Sequence, residues 1–130
     1  MFKQIITPRF SDTDALGHIN NTLLPVWFEG ARTPIFKLFS PDLDLTNWPL
    51  ILAKMEVEFH AQLYLQHDIE IRTYISHMGN SSFTVHQQAW QQGQKCASGN
   101  AVMVHFSYQK QGSVAIPESV KTELQQHFVH

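Results

Sequence analysis

Two aspartates, a glycine, a histidine and two asparagines crowd into the run Asp12-Thr13-Asp14-Ala15-Leu16-Gly17-His18-Ile19-Asn20-Asn21. A carboxylate in such a loop can attack an electron-poor carbonyl carbon, or take a proton from the water that does so. Downstream, Leu23, Leu24, Trp27, Phe28, Ala31, Ile35, Phe36 and Phe39 recur at steps of three and four, which predicts a helix beginning at Asn20 or Asn21. A helix start carries unpaired N–H groups and the positive end of the macrodipole, so it can polarise a carbonyl oxygen or hold an oxyanion. An acid beside such a start supplies the two parts that acyl transfer requires. The spacing alone leaves open which acid reacts. Taken by themselves, Asp12 and Asp14 are turn or capping residues, and Asn20 and Asn21 are caps first.

The other candidate side chains have plainer readings. Glu29 and Arg32 stand three apart on the helix and make an ordinary surface or interface pair. Ser81 and Ser82 follow the turn at Gly79-Asn80. The eight histidines contain no His-Glu-x-x-His and no tight pair, so neither a metal site nor a cofactor is expected. Cys96 is the only cysteine, which rules out an intramolecular disulfide and fits a reducing compartment. The net charge is −2 and the cations are scattered from Lys3 to Lys121, a poor match to a nucleic-acid binder. No stretch approaches the roughly 18 apolar residues of a membrane span, and Met1 to Arg9 lacks the apolar core of a signal peptide, so a cytoplasmic location is expected.

These residues must be positioned by a single domain, since 130 residues serve one hydrophobic core. A first strand is expected from Phe2 to Phe10, running into the polar loop from Ser11 to Gly17. Pro25 falls in the first turn of the long helix, where a missing N–H does little harm. Pro34 predicts a bend or an early end. After a loop at Asn47-Trp48-Pro49, period-two alternation marks strands at Met55–Ala61, Asp68–Ile75, Phe83–Trp90 and Cys96–Tyr108. Turns at Gly79-Asn80 and Gln91-Gln92-Gly93-Gln94 connect them as antiparallel hairpins, and Gly99 suggests a bulge. Beyond Pro117 a terminal helix from Glu118 to Phe128 is expected. One apolar helix facing one antiparallel sheet is an α+β layer.

The pattern Asp-x-Asp-x-x-Gly-His-x-Asn-Asn, followed by Trp27-Phe28-Glu29-Gly30-Ala31-Arg32, resembles the hotdog-fold thioesterase superfamily and within it the 4-hydroxybenzoyl-CoA thioesterase-like branch. Met55-Glu56-Val57-Glu58-Phe59, Asp68-Ile69-Glu70-Ile71 and Gly79-Asn80-Ser81-Ser82-Phe83 extend the resemblance over nearly the whole chain. It implies an antiparallel five-stranded sheet wrapped around a long central helix. It also implies a homodimer, or a dimer of dimers, with active sites at the subunit interface. Matched by position, the catalytic acid falls on Asp14 and the backbone N–H that polarises the carbonyl on Asn21. Gly17, His18 and Asn20 are then the candidate substrate contacts, and Ser82 a candidate for positioning water from the partner subunit. The implied activity is hydrolysis of an acyl thioester of coenzyme A or acyl carrier protein, with no metal required. The alternatives are a hotdog acyl-CoA hydratase or dehydratase, and a non-catalytic acyl-binding module. Leu24 stands where many relatives carry an aromatic residue.

Overall fold

In the computed structural model, which describes residues 1–129, the alternating segments become strands β1 (Phe2–Ile6), β2 (Leu50–Phe59), β3 (Ile69–Met78), β4 (Ser82–Gln91) and β5 (Gln94–Ser107). They form one antiparallel sheet in the order β1-β3-β4-β5-β2, curled around the helical segment. A short sixth strand, β6 (Gly112–Ser113), adds to the five expected. It folds back on the end of β5 through a turn in which Gln111 takes a left-handed backbone, φ 52°. β3 as far as Ile75, all of β4 and the middle of β5 alternate between buried and half-buried residues, the signature of a sheet with one face on the core.

The long helix is two helices, α1 (Leu23–Ala31) and α2 (Thr33–Phe39). The break comes at Arg32, before Pro34, which sits in the first turn of α2 where its missing N–H costs nothing. Arg32 N–H turns to the Glu29 carbonyl at 3.0 Å, so the carbonyl of Phe28 loses its helical partner. Gln87 replaces it from the sheet below: its buried side-chain amide donates to Phe28 O at 2.8 Å and to Thr73 Oγ1 at 3.1 Å. Gln87 Oε1 accepts from Arg32 Nη1 at 3.2 Å.

Two apolar clusters flank this polar knot. Under α1, Leu24, Phe28 and Ala31 pack with Ile69, Ile71, Ala89 and Ala97; under α2, Ile35 packs with Ile75, Phe83, Val85 and Met103. A last helix, α3 (Glu118–Gln125), closes the second cluster with Leu124 and ends before Phe128, sooner than the apolar spacing predicts.

Gly99 is not a bulge. It lies in unbroken register between Val57 and Gln87, and a side chain there would put Cβ 2.9 Å from Glu56 O and 3.0 Å from Phe28 Cε2. Close packing of the Phe28 ring on β5 is what requires glycine. The register shifts fall instead between Leu52 and Lys54, between Ile75 and His77, and at Ala89/Trp90. No helix among the described residues is long and apolar enough to cross a membrane.

Candidate active site

The loop that delivers Asp14 is a tight hairpin. Thr13 pairs with Ile19, Asp14 N–H donates to His18 O at 2.7 Å, and Gly17 N–H closes the turn on Asp14 O at 3.3 Å. Gly17 takes φ +81°, a left-handed conformation that glycine adopts without steric cost. Asp14 Oδ1 accepts from the N–H groups of Leu16, at 2.8 Å, and His18, at 3.1 Å. One carboxylate oxygen therefore fixes the turn, and Oδ2 has no partner among the described residues. Glycine at position 17 and aspartate at 14 are what let so short a loop hold its shape.

The base of the loop is tied down by Asp12. Its carboxylate is buried and accepts from Arg9 N–H at 2.8 Å and Arg9 Nη2 at 3.2 Å, while its carbonyl takes the Asn20 N–H at 2.8 Å. Burial pushes the Asp12 carboxyl up, but the hydrogen bonds and the charge of Arg9 outweigh it and leave its pKa below the usual value. Asp12 thus holds the loop, the structural part expected of it.

Asn20 opens α1. Its Oδ1 accepts from Thr22 N–H at 3.1 Å and Thr22 Oγ1 at 2.9 Å, and its carbonyl accepts from Leu23 N–H at 3.1 Å. With Thr22 and Leu23 satisfied in this way, the main-chain N–H of Asn21 is left unclaimed among the described residues. Asp14, Asn20 and Asn21 share the rim of a cleft of ≈ 420 Å³, whose apolar lining comes from Ile19, Leu24 and Leu63. The rest of the lining is Phe59 and the segment after β2, from His60 to Gln62.

The remaining candidates lie elsewhere. Gly17 and His18 form the turn behind Asp14, and the His18 ring rests edge-on against Tyr64, centroids 5.4 Å apart. Ser82 is at the far end of the sheet within one chain. It pairs with Val104, whereas Phe59 beside the cleft pairs with Ala97, a separation of about 23 Å along β5 at the usual rise per residue. Sequence reading missed the wall from Phe59 to Leu63 and the residue that fixes it. Gln91, read as a turn residue, ends β4 buried and clamps the segment: Oε1 accepts from Tyr64 N–H, and Nε2 donates to the carbonyls of Tyr64 and His67. Its placement one step before the Gln92-Gly93 turn was the only available signal. No three His, Cys, Asp or Glu side chains converge to hold a metal ion among the described residues.

A carboxylate with one free oxygen and an unclaimed N–H in the turn that leads into α1, on one rim, can hold a carbonyl group and deliver a nucleophile to it. Comparison with known proteins agrees in kind. The family model of the thioesterase-like superfamily matches residues 8–124. A predicted thioesterase from Bacillus stearothermophilus is 41% identical and superposes with a TM-score of 0.93 over 99% of this chain and 97% of its own. A thioesterase from Thermus thermophilus, complexed with coenzyme A and Zn, is 25% identical with a TM-score of 0.83 over 95% and 96% of the two chains. The uncharacterized protein YsmA of Bacillus subtilis (strain 168) is 28% identical over 92% of this chain and 82% of its own.

Proposed function

This chain belongs to the thioesterase-like superfamily, and from that premise we propose that it hydrolyses an acyl thioester of coenzyme A at the cleft beside Asp14. The observation that carries the reading is the pairing of the Asp14 carboxylate with the unclaimed N–H of Asn21 on one cleft rim. The thioester carbonyl oxygen accepts from Asn21 N–H, which stabilises the negative charge that develops there. Asp14 takes a proton from water, whose oxygen adds to the carbonyl carbon; collapse of the adduct expels the thiolate, which recovers a proton to give free thiol and acid. In the other route the Asp14 carboxylate itself adds, expels the thiolate and forms a mixed anhydride that water then cleaves. A burst of thiol ahead of free acid marks the anhydride route when the second step is the slower, and in single turnover in oxygen-18 water only the anhydride route can leave the label in the Asp14 carboxylate.

Coenzyme A as the carrier is supported by the Thermus thermophilus relative, whose structure holds that molecule. A hydratase needs a histidine working with the acid in the cleft; here the His18 ring lies against Tyr64, and His60, on the cleft wall, has its Nε2 engaged with Ser98 Oγ at 2.8 Å. A homodimer is part of the proposal. β2 is an edge strand with one side unpaired, and Phe59 and Tyr64 stand exposed near the cleft. Antiparallel pairing of two β2 edges would bring the Ser82 end of one sheet to the Asp14 end of the other. That is the arrangement in which Ser82 could position water.

The test is thiol release across short-chain, long-chain and aromatic acyl-CoAs and one acyl carrier protein thioester, with sedimentation of the same preparation. Turnover of a member of the panel by a dimer is expected. Tight acyl-CoA binding with no thiol release would identify an acyl-binding module instead.

A further inference from the structure

The sheet has two edges, and the dimer proposed for this chain covers only β2. On the other edge, β1 bonds β3 through one side of its main chain and turns the N–H and C=O groups of the other side outward. Beside that edge lies a groove of ≈ 500 Å³, with Phe2 of β1 on one wall and Gly30, Ala31, Pro34 and Lys37 on the other. The buried Thr73 lines it too; its hydroxyl accepts from Gln87 Nε2 at 3.1 Å, and its own proton has no acceptor among the described residues. Ala31 packs in the cluster that takes Ile6, and α2 in the one that takes Phe2, so the helices follow β1 along its length.

Gly30 keeps the helix wall open. It stands in α1 with no left-handed φ to require glycine, and an added Cβ would meet no atom within 4 Å beyond its own helix backbone and chain neighbours. Glycine inside a helix destabilises it relative to alanine, so neither the backbone nor the packing of this chain accounts for the residue. A bare main chain at that point admits the close approach of another. The charges beside the groove have one sign. No acid lines it, Lys37 is exposed and in none of the ion pairs among the described residues, and Lys3, paired in register with Arg72, shares its ammonium only with Glu70, at 3.8 Å.

We propose that an extended acidic segment of a partner protein adds to the sheet here as a strand beside β1. Its main chain bonds the free edge, alternate side chains enter the groove against Phe2 and Pro34, and its acids meet Lys3 and Lys37. Strand addition draws affinity from main-chain bonds and specificity from the alternate side chains. A second copy of this chain is the poorer occupant, because pairing two β1 edges brings the lysines of both copies to one seam, whereas an acidic strand brings the opposite charge. The inference stands on β1 and the helix pair and is independent of the thioester reading.

The experiment adds fluorescein-labelled octapeptides to the full chain and follows anisotropy, with nitrogen-15 NMR of the main-chain amides. One peptide alternates glutamate and valine, and a second alternates lysine and valine. Two more are the glutamate peptide N-methylated at every valine or at every glutamate. The glutamate peptide is expected to bind once per chain and to shift the amides from Phe2 to Ile6 and that of Gly30, and the lysine peptide to bind at least tenfold more weakly. Only one of the two methylated sets can face β1, so one of these peptides should lose binding and the other keep it. Lys37→Glu should shrink the preference for glutamate over lysine about tenfold. Gly30→Leu should fill the groove and weaken the glutamate peptide at least tenfold, with the thermal midpoint unchanged or raised. The proposal is overturned by no binding at millimolar glutamate peptide, by equal affinity for the two charges, or by both methylated peptides behaving alike. Unchanged affinity in Gly30→Leu overturns it as well, as do shifts confined to β2 or to Asp14 and Asn21. So does a wild type that ignores the peptides but falls to a smaller oligomer on Gly30→Leu, because a second copy then fills the groove.

Discussion

At the amino end of α1 the bonds are local and the side chains wet: Asp14 is exposed and bonds the N–H groups of Leu16 and His18, and Asn20 bonds Thr22. At the carboxyl end the bonds span the molecule, since Gln87 reaches from β4 to Phe28 O and Arg32, 59 and 55 residues away in sequence. The first end can be altered chemically without loosening the sheet from the helices. The second can loosen them without touching the groups proposed to react. Division of this kind is expected where a helix start must keep free N–H groups for a ligand and the rest of the helix must be held still.

The largest effect expected is on activity, at the amino end. Asp14→Asn keeps an oxygen to accept from Leu16 and His18 but cannot act as base or nucleophile. Thiol release should fall about 10²- to 10⁴-fold, with the thermal midpoint unchanged within about 2 °C. A large fall in midpoint would break the comparison, because it would make Asp14 part of the fold. The converse is Gln87→Leu, which leaves Phe28 O and Thr73 Oγ1 unpaired and strips Arg32 of its one bond. It should cost about 3 kcal/mol in denaturant unfolding, with thiol release per folded molecule little changed.

Much of the amino end was legible in the sequence, and little of the other. Asp14, Gly17 and Asn20 act through their own neighbours within a few residues, so their types and spacing already describe a tight turn followed by a helix, although the helix starts at Leu23 rather than at Asn20 or Asn21. The wall from Phe59 to Leu63 depends on β2 leaving the sheet and on Gln91 clamping Tyr64 from 27 residues away, which no local pattern encodes. Arg32 read as half of a surface pair with Glu29 because their i,i+3 spacing allows it. In the fold the helix breaks at Arg32 and turns the guanidinium inward to Gln87. Gly99 is ambiguous for a related reason: an isolated glycine in a strand signals either a bulge or a close approach, and only the position of Phe28 decides between them.

Gly99→Ala sharpens the comparison midway between the two ends. The new methyl group meets Glu56 O, which is strand backbone, and the buried Phe28 ring, neither of which can move freely. A cost of about 1–3 kcal/mol is expected in denaturant unfolding, as for other overpacked sites. Activity should follow the folded fraction.

The smallest effect is in acid and tests whether the amino end has any stability of its own. Asp12 is the buried carboxylate there, and Arg9 holds its pKa below the unfolded value of about 3.9. A group depressed in the folded state binds its proton more readily when unfolded, so its contribution is full above that value and is lost as pH falls through the folded pKa. Unfolding of the wild type should therefore steepen in its pH dependence below about pH 4, and Asp12→Asn should flatten that limb while lowering stability at neutral pH. The Arg9 side chain is 77% exposed, so solvent screens the charge term and the Arg9 main-chain N–H carries most of the bond. If Asp12→Asn instead costs as much as Gln87→Leu, the loop is part of the structural core, and the freedom of Asp14 from the fold's energetics must be given up with it.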